Sequence, residues 1–217
     1  MNTPDPLFPS SEFEKSDLEL SLKNASAIKG LELHYDFITP EEEISLLKHI
    51  DEQSWLEELS RNVQHFGYKY DYKHRSINRD FYIGDIPEYM QFLLKRLQEK
   101  GFITQACDQA IVNEYTGNQG ISAHIDCEPC FGDVIISISL SGSCVMNFQK
   151  DKNATAEEKI PLLLPPRSLV IMKNEARYEW LHSIPNRKKD VFNGNTYPRG
   201  RRVSVTFRKV ILEESRK

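Results

Sequence analysis

The sequence has 217 residues, of which 39% are hydrophobic and 28% charged, and this composition is typical of one globular domain. It contains no run of about 18 apolar residues and does not start with the basic and then apolar profile of a secretory signal, so we expect no membrane association. Four cysteines in such a chain predict reduced thiols and a cytoplasmic location, or a nuclear one in a eukaryote. We expect a monomer.

Charge is unevenly distributed along the chain, whose formal net charge is −4. Residues 1–60 contain 4 Lys/Arg and 14 Asp/Glu, a net charge of −10, whereas residues 165–217 contain 13 and 5, a net charge of +8. A basic C-terminal region can attract a polyanion or an acidic cosubstrate. The alternative is a solvated basic surface, so charge suggests a partner without identifying one.

The chain begins with polar residues. Residues 1–25 include three prolines and show little periodicity, which predicts a flexible N-terminal tail, or a loosely docked segment, before a folded domain at residues 26–217. Alternating apolar residues within 28–37 then predict a strand.

Two helices are predicted in the first half of the chain. Thr39 can cap a helix in which Glu42 completes a capping box, and the apolar spacing continues to the region of Trp55. A second helix begins at Pro87 and ends near Gly101.

Residues 60–84, between the two helices, interleave basic and aromatic side chains. Such a mixture is what a nucleotide-binding loop requires, because aromatic rings stack on bases and cations pair with phosphates. Half-buried tyrosines that cover a β-sheet are the alternative. The residues are Arg61, Lys69, Lys73, His74, Arg75 and Arg79, with Phe66, Tyr68, Tyr70, Tyr72, Phe81 and Tyr82.

From residue 107 onward, short β-type runs alternate with turn residues. Eight such runs predict a β-sandwich or barrel, and two helices before an all-β half predict an α+β fold. The predicted strands are residues 109–115, 121–124, 134–140, 144–149, 160–164, 168–172, 180–184 and 203–210.

A histidine and an aspartate, His124 and Asp126, lie two residues apart in this β-rich half. Residues i and i+2 of a strand share a face, so both side chains can reach one ion. Two histidines and one carboxylate suit a non-haem Fe(II) site with positions open for a chelating cosubstrate and O2. His182 is the candidate third ligand, since it is the only other histidine in the β-rich half. For the pair alone, a polar surface strand is the alternative.

Zinc is the competing metal. Cys127 and Cys130 form a C-x2-C pair directly after Asp126. A structural zinc site needs a second such pair or matched histidines, and the sequence offers neither at the right spacing. We therefore favour a turn that carries two thiols.

Ordered motifs in the second half of the chain resemble those of the AlkB family of Fe(II)- and 2-oxoglutarate-dependent dioxygenases. The family motifs N-x-Y, H-x-D, H and R-x5-R match, in order, Asn113 to Tyr115, His124 to Asp126, His182, and Arg202 to Arg208. Further segments resemble the branch that contains the tRNA wobble-uridine hydroxylase, and the likeness runs from about residue 28 to about residue 211. These segments are residues 61–68, 120–126, 166–169 and 177–182.

The resemblance implies a double-stranded β-helix, or jelly roll, with the N-terminal helices packed on it. It implies Fe(II) bound by His124, Asp126 and His182, and oxidation of a substrate C–H bond with release of succinate and CO2 from 2-oxoglutarate. Ser204 stands where some members have Asn. The resemblance assigns five residues to cosubstrate binding: Asn113, Tyr115, Arg202, Ser204 and Arg208.

The two arginines of the last motif also suit this role physically. Arg202 and Arg208 are six residues apart on a predicted strand, so they share a face. A guanidinium can bind a carboxylate through paired hydrogen bonds, which a dicarboxylate cosubstrate needs. Two structural arginines on an edge strand are the alternative for this spacing alone.

Residues 60–84 correspond to the substrate lid of the family, and we call them the lid segment. Within it, we assign Arg61, Gln64, His65 and Tyr68 to substrate binding. Together with basic runs at 187–189 and 199–201, the lid segment favours a nucleic acid. The resemblance implies tRNA first, through hydroxylation of a modified wobble uridine, and N-alkyl demethylation is the other nucleic-acid reaction.

Two other functions remain open. A dioxygenase that oxidises a protein side chain would use the acidic N-terminal region to dock a basic protein. A non-catalytic binding module would have lost a metal ligand or the cosubstrate arginine, and this sequence retains them. In animals, the tRNA hydroxylase adds an RNA-recognition domain and a methyltransferase, whereas residues 1–25 are too short for the former. We therefore expect tRNA binding by the lid segment and basic surface, or with a separate tRNA-binding or methyltransferase partner.

Overall fold

The computed structural model describes residues 13–57 and 60–212, which form four α-helices and thirteen strands. The helices are α1 (Lys15–Ser26), α2 (Pro40–Asp51), α3 (Glu88–Glu99) and α4 (Asn174–Tyr178). The strands are β1 (Leu31–His34), β2 (Asn62–Tyr68), β3 (Tyr82–Gly84), β4 (Gln109–Tyr115), β5 (Ile121–His124), β6 (Phe131–Ser141), β7 (Cys144–Gln149), β8 (Ile160–Leu164), β9 (Leu169–Met172), β10 (Leu181–Ile184), β11 (Lys189–Phe192), β12 (Asn195–Pro198) and β13 (Arg202–Val210).

Two antiparallel sheets face each other. The larger has the strand order β1-β9-β6-β13-β4-β2-β3, the smaller has the order β5-β10-β7-β8, and β11 and β12 form a separate hairpin. Side chains from both sheets meet in one apolar core, to which β6 contributes Ile135 and β7 contributes Phe148. The predicted α+β jelly roll is confirmed. None of the helices in the described part of the chain is long and apolar enough to cross a membrane.

The two predicted helices form a layer on the outer face of the larger sheet. The capping box is present, because Thr39 accepts a hydrogen bond from the backbone N–H of Glu42 and the Glu42 side chain accepts one from the backbone of Thr39. This helix ends at Asp51, before the predicted Trp55. Leu46 and Leu93, one from each helix, are fully buried against the sheet.

Strand β13 divides its side chains between the helix layer and the space between the sheets. Val203, Val205 and Phe207 are fully buried in the core beneath α2 and α3. Because side chains alternate along a strand, the residues between them point the other way. These inward-facing residues are Arg202, Ser204, Thr206 and Arg208.

The N-terminal region contains a helix where we predicted a flexible tail at residues 1–25. Helix α1 packs on β8, and its buried residues are Asp17, Ser21 and Ala25. Asp17 accepts hydrogen bonds from Asn193, Asn195 and Tyr197 of the β11–β12 hairpin. The prediction is therefore wrong for residues 15–25, while residues 1–12 lie outside the described part of the chain. It failed because this helix buries small and polar residues, so the apolar periodicity of a helix is absent.

Candidate active site

The three predicted metal ligands lie together in the cavity between the sheets. His124 ends β5, Asp126 follows two residues later, and His182 on β10 lies opposite His124 in the antiparallel register. Their candidate ligand atoms all lie within 4.8 Å of one another, and Nε2 of His124 is 3.8 Å from Oδ1 of Asp126. One ion can contact all three side chains at this spacing, so the group is suited to Fe(II).

Neighbouring groups set the protonation of these ligands. Nδ1 of His124 lies 2.8 Å from the carbonyl oxygen of Ser122, so Nδ1 can donate and leave Nε2 for a metal. Burial opposes ionisation of Asp126, but Arg208, His182 and His124 together hold its pKa well below the ordinary value. Burial, followed by the nearby His124, lowers the pKa of His182 to about 3. At neutral pH the site therefore presents a carboxylate and a neutral His182, which are the forms that bind a metal.

Arg177 on α4 fixes the loop that carries Asp126. Its side chain is 2% exposed. The guanidinium donates hydrogen bonds to the carbonyl oxygens of Asp126 at 2.9 Å, Gly132 at 3.1 Å, Phe131 at 3.3 Å and Cys127 at 3.4 Å. No sequence pattern assigns this arginine a role of its own. Only the spatial meeting of α4 with the β5–β6 loop reveals it.

The predicted cosubstrate residues lie on two neighbouring strands of the larger sheet. In the β13–β4 pairing, Arg202 is opposite Tyr115 and Ser204 is opposite Asn113. These four side chains and the three metal ligands line one cavity of about 410 Å³, a volume suited to small-molecule binding. The structure therefore brings the metal group and the predicted cosubstrate residues into a single site.

The two arginines of the R-x5-R motif have different surroundings. Arg208 donates to both carboxylate oxygens of Asp126, at 3.2 and 3.3 Å, which places it beside the candidate metal ligands. Arg202 donates to Oγ of Ser139 at 2.8 Å, but its buried Nε has no hydrogen-bond partner among the described residues. A buried donor of this kind calls for an acceptor. A carboxylate of 2-oxoglutarate would provide it, so the residues present fit this cosubstrate.

Of the four residues predicted to bind substrate, Arg61 lines the cavity and Gln64 does not. Gln64 is opposite Val112 in the β2–β4 pairing, and Val112 belongs to the core beneath the helices. Its Nε2 donates to the carbonyl oxygen of Ile50 at 2.9 Å. The placement of Gln64 therefore contradicts our prediction, because its side chain joins β2 to α2 on the far face of the sheet.

His65 and Tyr68 are also separated from the cavity lining. The buried His65 ring is 5.7 Å from the ring of Tyr72, which itself lines the cavity. The Tyr68 ring is 5.3 Å from that of Tyr82, on the neighbouring strand β3. His65 thus lies behind the cavity wall and Tyr68 beside a different surface depression, so the predicted direct substrate contacts are not supported for either residue.

Other residues of the lid segment form the cavity wall instead. Tyr70, Tyr72 and Arg75 line it, and the first two rings pack edge to face with centroids 5.0 Å apart. Burial, with a smaller contribution from Cys127, raises the pKa of Tyr70 to about 12. The interleaved aromatic and basic composition indicated the segment correctly. It could not indicate which side chains face inward, because β2 ends at Tyr68 and the chain turns after it.

The arginines of the two basic runs near the C-terminus form ion pairs within the protein. Arg187 and Arg199 both pair with the buried Asp190, each with a nitrogen-to-oxygen distance of 2.6 Å. Arg201 pairs with Asp51 and with Glu114. The positive charge of the C-terminal quarter is therefore a weaker indication of a polyanion than the sequence suggests.

The thiols of the C-x2-C pair lie against the lid segment. Cys127 and Cys130 are buried free thiols, and their sulfurs are 3.3 and 3.4 Å from the carbonyl oxygen of Arg75. The backbone N–H of Cys130 donates to the carbonyl oxygen of Cys127, which is the predicted turn. Among the described residues, only the His-Asp-His group has metal-ligand geometry, so the zinc alternative has no structural support.

A match to a known sequence family agrees with the oxygenase assignment that the motifs indicated. The sequence model of the 2OG-Fe(II) oxygenase superfamily matches residues 23–208. The chain belongs to this superfamily. It is a 2-oxoglutarate-dependent dioxygenase that uses Fe(II), and the non-catalytic alternative is set aside.

Similar proteins place the dioxygenase within the AlkB family. It is 37% identical over 90% of its length to the uncharacterized protein L905 of Acanthamoeba polyphaga mimivirus, of which it covers 92%. It is also 37% identical over 84% of its length to the alkylated DNA repair protein ALKBH8 homolog of Arabidopsis thaliana, and 35% identical over 83% of its length to the tRNA (carboxymethyluridine(34)-5-O)-methyltransferase alkbh8 of Xenopus tropicalis. The chain spans 59% and 32% of these two relatives. Its fold is similar to that of OsALKBH1, with a TM-score of 0.64, 16% identity, and coverage of 83% of this chain and 98% of that one.

Proposed function

We propose that this dioxygenase oxidises a C–H bond of a nucleic-acid substrate, with tRNA as the first candidate. The observation that carries the proposal is that Tyr70, Tyr72, Arg61 and Arg75 line the same cavity as the His-Asp-His group. Aromatic rings stack on a base of any sequence and guanidinium groups pair with phosphates. The names of the Arabidopsis and Xenopus relatives, which refer to alkylated DNA and to tRNA, agree with this substrate class.

The residues of the chain divide the work within the cavity. When bound, Fe(II) and 2-oxoglutarate supply the oxidation of a substrate C–H bond by O2, with release of succinate and CO2. His124, Asp126 and His182 would hold the metal and leave its other positions open. Arg202 would bind the distal carboxylate of 2-oxoglutarate. The Asn113 side chain would donate a hydrogen bond to the same cosubstrate.

The size of the cavity favours an unpaired nucleotide as substrate. About 410 Å³ has to accommodate the cosubstrate and the target group, which leaves room for one base but not for a base pair. Enzymes that react with a base in a duplex must therefore extrude it, and this costs least where the base is already single-stranded. A wobble base in an anticodon loop meets this condition. A separate tRNA-binding or methyltransferase partner would supply contacts beyond the loop.

Removal of an N-alkyl group is the second candidate reaction, and the name of the Arabidopsis relative favours it. The two reactions would share this site and differ in the product. Oxidation of a carbon-linked substituent leaves an alcohol on the base, whereas oxidation of an N-methyl group ends with loss of formaldehyde. The measured product therefore distinguishes them.

The test is nucleoside mass spectrometry on a tRNA pool that lacks wobble hydroxylation. The pool is incubated with the protein, Fe(II), 2-oxoglutarate and air, and Asp126→Ala serves as the matched inactive variant. We expect a wobble uridine to gain one oxygen atom with the wild-type protein only. An unchanged tRNA pool, together with formaldehyde release from N-methylated DNA or RNA, would replace hydroxylation by demethylation. Activity on neither would contradict the nucleic-acid proposal and redirect the search to protein substrates.

A further inference from the structure

Arg61 contacts two of the predicted cosubstrate residues. It directly precedes β2 and is half-buried in the cavity wall. Its Nε donates a hydrogen bond to Oδ1 of Asn113 at 2.8 Å. Its Cζ also lies 5.8 Å from the centre of the Tyr115 ring, and Cζ of Arg202 lies 5.5 Å from the same ring. Arg61 is therefore in contact with the predicted cosubstrate subsite itself.

The hydrogen bond from Arg61 determines which way the Asn113 amide points. An asparagine side chain has one oxygen acceptor and one NH2 group with two donor hydrogens, and a rotation by 180° exchanges them. A guanidinium is donor-only, so only the oxygen of Asn113 can face Arg61. The NH2 group of this buried side chain is then directed away from Arg61, within the cavity lining. It can donate to an anionic ligand, whereas the flipped amide would present an oxygen to a carboxylate and repel it.

We propose that Arg61 is a positioning residue for 2-oxoglutarate, and that it acts by fixing the Asn113 amide in its donor orientation. This role is additional to the substrate binding that we predicted for Arg61. The inference concerns the cosubstrate, so it does not depend on the substrate being a nucleic acid. A charge-assisted hydrogen bond is a strong one, and its loss frees the amide to populate both orientations.

The experiment measures 2-oxoglutarate binding to the Mn(II)-loaded protein by calorimetry, without any nucleic acid. We expect Arg61→Met to weaken binding about tenfold, in line with the contribution of one hydrogen bond to a charged group. Arg61→Lys keeps a donor near Oδ1 of Asn113 and should recover part of this affinity. Arg79→Met, which removes an exposed arginine of the same lid segment outside the cavity, should leave the affinity unchanged.

A double-mutant cycle separates action through Asn113 from other roles. In an Asn113→Ala background, Arg61→Met should cause no further loss of affinity, because the amide that it orients is gone. A full additional loss would overturn the proposal. So would an unchanged 2-oxoglutarate affinity in Arg61→Met with a raised KM for RNA, since Arg61 would then contact only the substrate. Thermal unfolding of each variant identifies one that fails to fold, and in that case Arg61→Lys decides.

Failure of this proposal and failure of the proposed function give different results. If no nucleic acid is oxidised but Arg61→Met still weakens 2-oxoglutarate binding through Asn113, the positioning role is supported and the proposal of a nucleic-acid substrate is refuted. If tRNA is hydroxylated but Arg61→Met binds 2-oxoglutarate with wild-type affinity, the proposed function is supported and the positioning role is refuted.

Discussion

Replacement of Arg177 by Met should loosen the metal-carrying loop. The guanidinium is buried and donates to four carbonyl oxygens of residues 126–132. Each hydrogen bond to a charged group contributes about 1.5–3 kcal/mol, but the substitution also removes the cost of burying a charge, so the contributions do not sum. We expect the free energy of unfolding to fall by about 3–4 kcal/mol, which corresponds to a decrease in Tm of about 10 °C for a chain of this size.

The same variant should bind metal more weakly, because the carbonyl nearest Arg177 belongs to the ligand Asp126 itself. Loss of a group that orients a ligand typically lowers metal affinity about 10- to 100-fold. Chemical unfolding of the metal-free protein and a Co(II) titration measure the two effects separately. Arg79→Met is the matched control and should change the unfolding free energy by less than about 0.5 kcal/mol. A loss of under about 1 kcal/mol in Arg177→Met, with metal affinity intact, would refute the reasoning.

Three further predictions concern the site itself. Asp126→Ala should abolish succinate production while the circular dichroism spectrum stays native; wild-type turnover would remove Asp126 from the metal site. Arg202→Ala should raise the 2-oxoglutarate concentration needed for half-maximal succinate formation more than tenfold, roughly the loss of one charge-assisted pair, and an unchanged requirement would exclude the assigned role. The folded-state pKa of His182 is about 3 against about 6.5 unfolded, so only the unfolded chain gains this proton as the pH decreases from 6.5. The unfolding free energy of metal-free protein should therefore fall by about 2 kcal/mol between pH 6.5 and pH 5. His182→Asn should flatten this dependence, and an equal slope in both proteins would contradict it.

The sequence predicted the strands that build the site because their patterns are local. In β13, apolar residues at 203, 205 and 207 alternate with the residues that line the cavity, and this alternation can be recognised in the sequence alone. The ordered motifs added the identity of the ligands. On these grounds the sequence predicted the jelly roll and the meeting of the His-Asp-His group with the β13 and β4 residues in one cavity.

Which side chains of the lid segment face the cavity could not be predicted, because this depends on the register in which β2 pairs with β4. Gln64 faces the helices since its partner in the register is Val112, while the neighbouring His65 faces the other way, opposite Ile111. A shift of the pairing by one residue would exchange these two side chains. Nothing within the lid segment itself specifies this register.

The charge distribution along the sequence also gave a misleading indication, because ion pairing within the fold cannot be recognised from it. The basic C-terminal quarter suggested an exposed surface for a polyanion, yet Arg199 has a side chain that is only 5% exposed and pairs with Asp190. Its acidic partner, Asp190, lies nine residues earlier on β11, and the pairing requires the β11–β12 hairpin to form. Net charge over a stretch of sequence does not distinguish such internal pairs from solvated cations.

The hydrogen bonds of Asp17 have a consequence for how far the protein can be shortened. Asp17 binds the β11–β12 hairpin through Asn193, Asn195 and Tyr197. Arg199, which follows that hairpin, in turn donates to the carbonyl oxygens of Gln119 and Pro185, whose neighbours at 120 and 186 line the cavity. A protein trimmed to start at residue 26 would lose the first link of this chain of contacts. The mouth of the active site is thus supported by a helix that sequence patterns alone would have discarded as a tail.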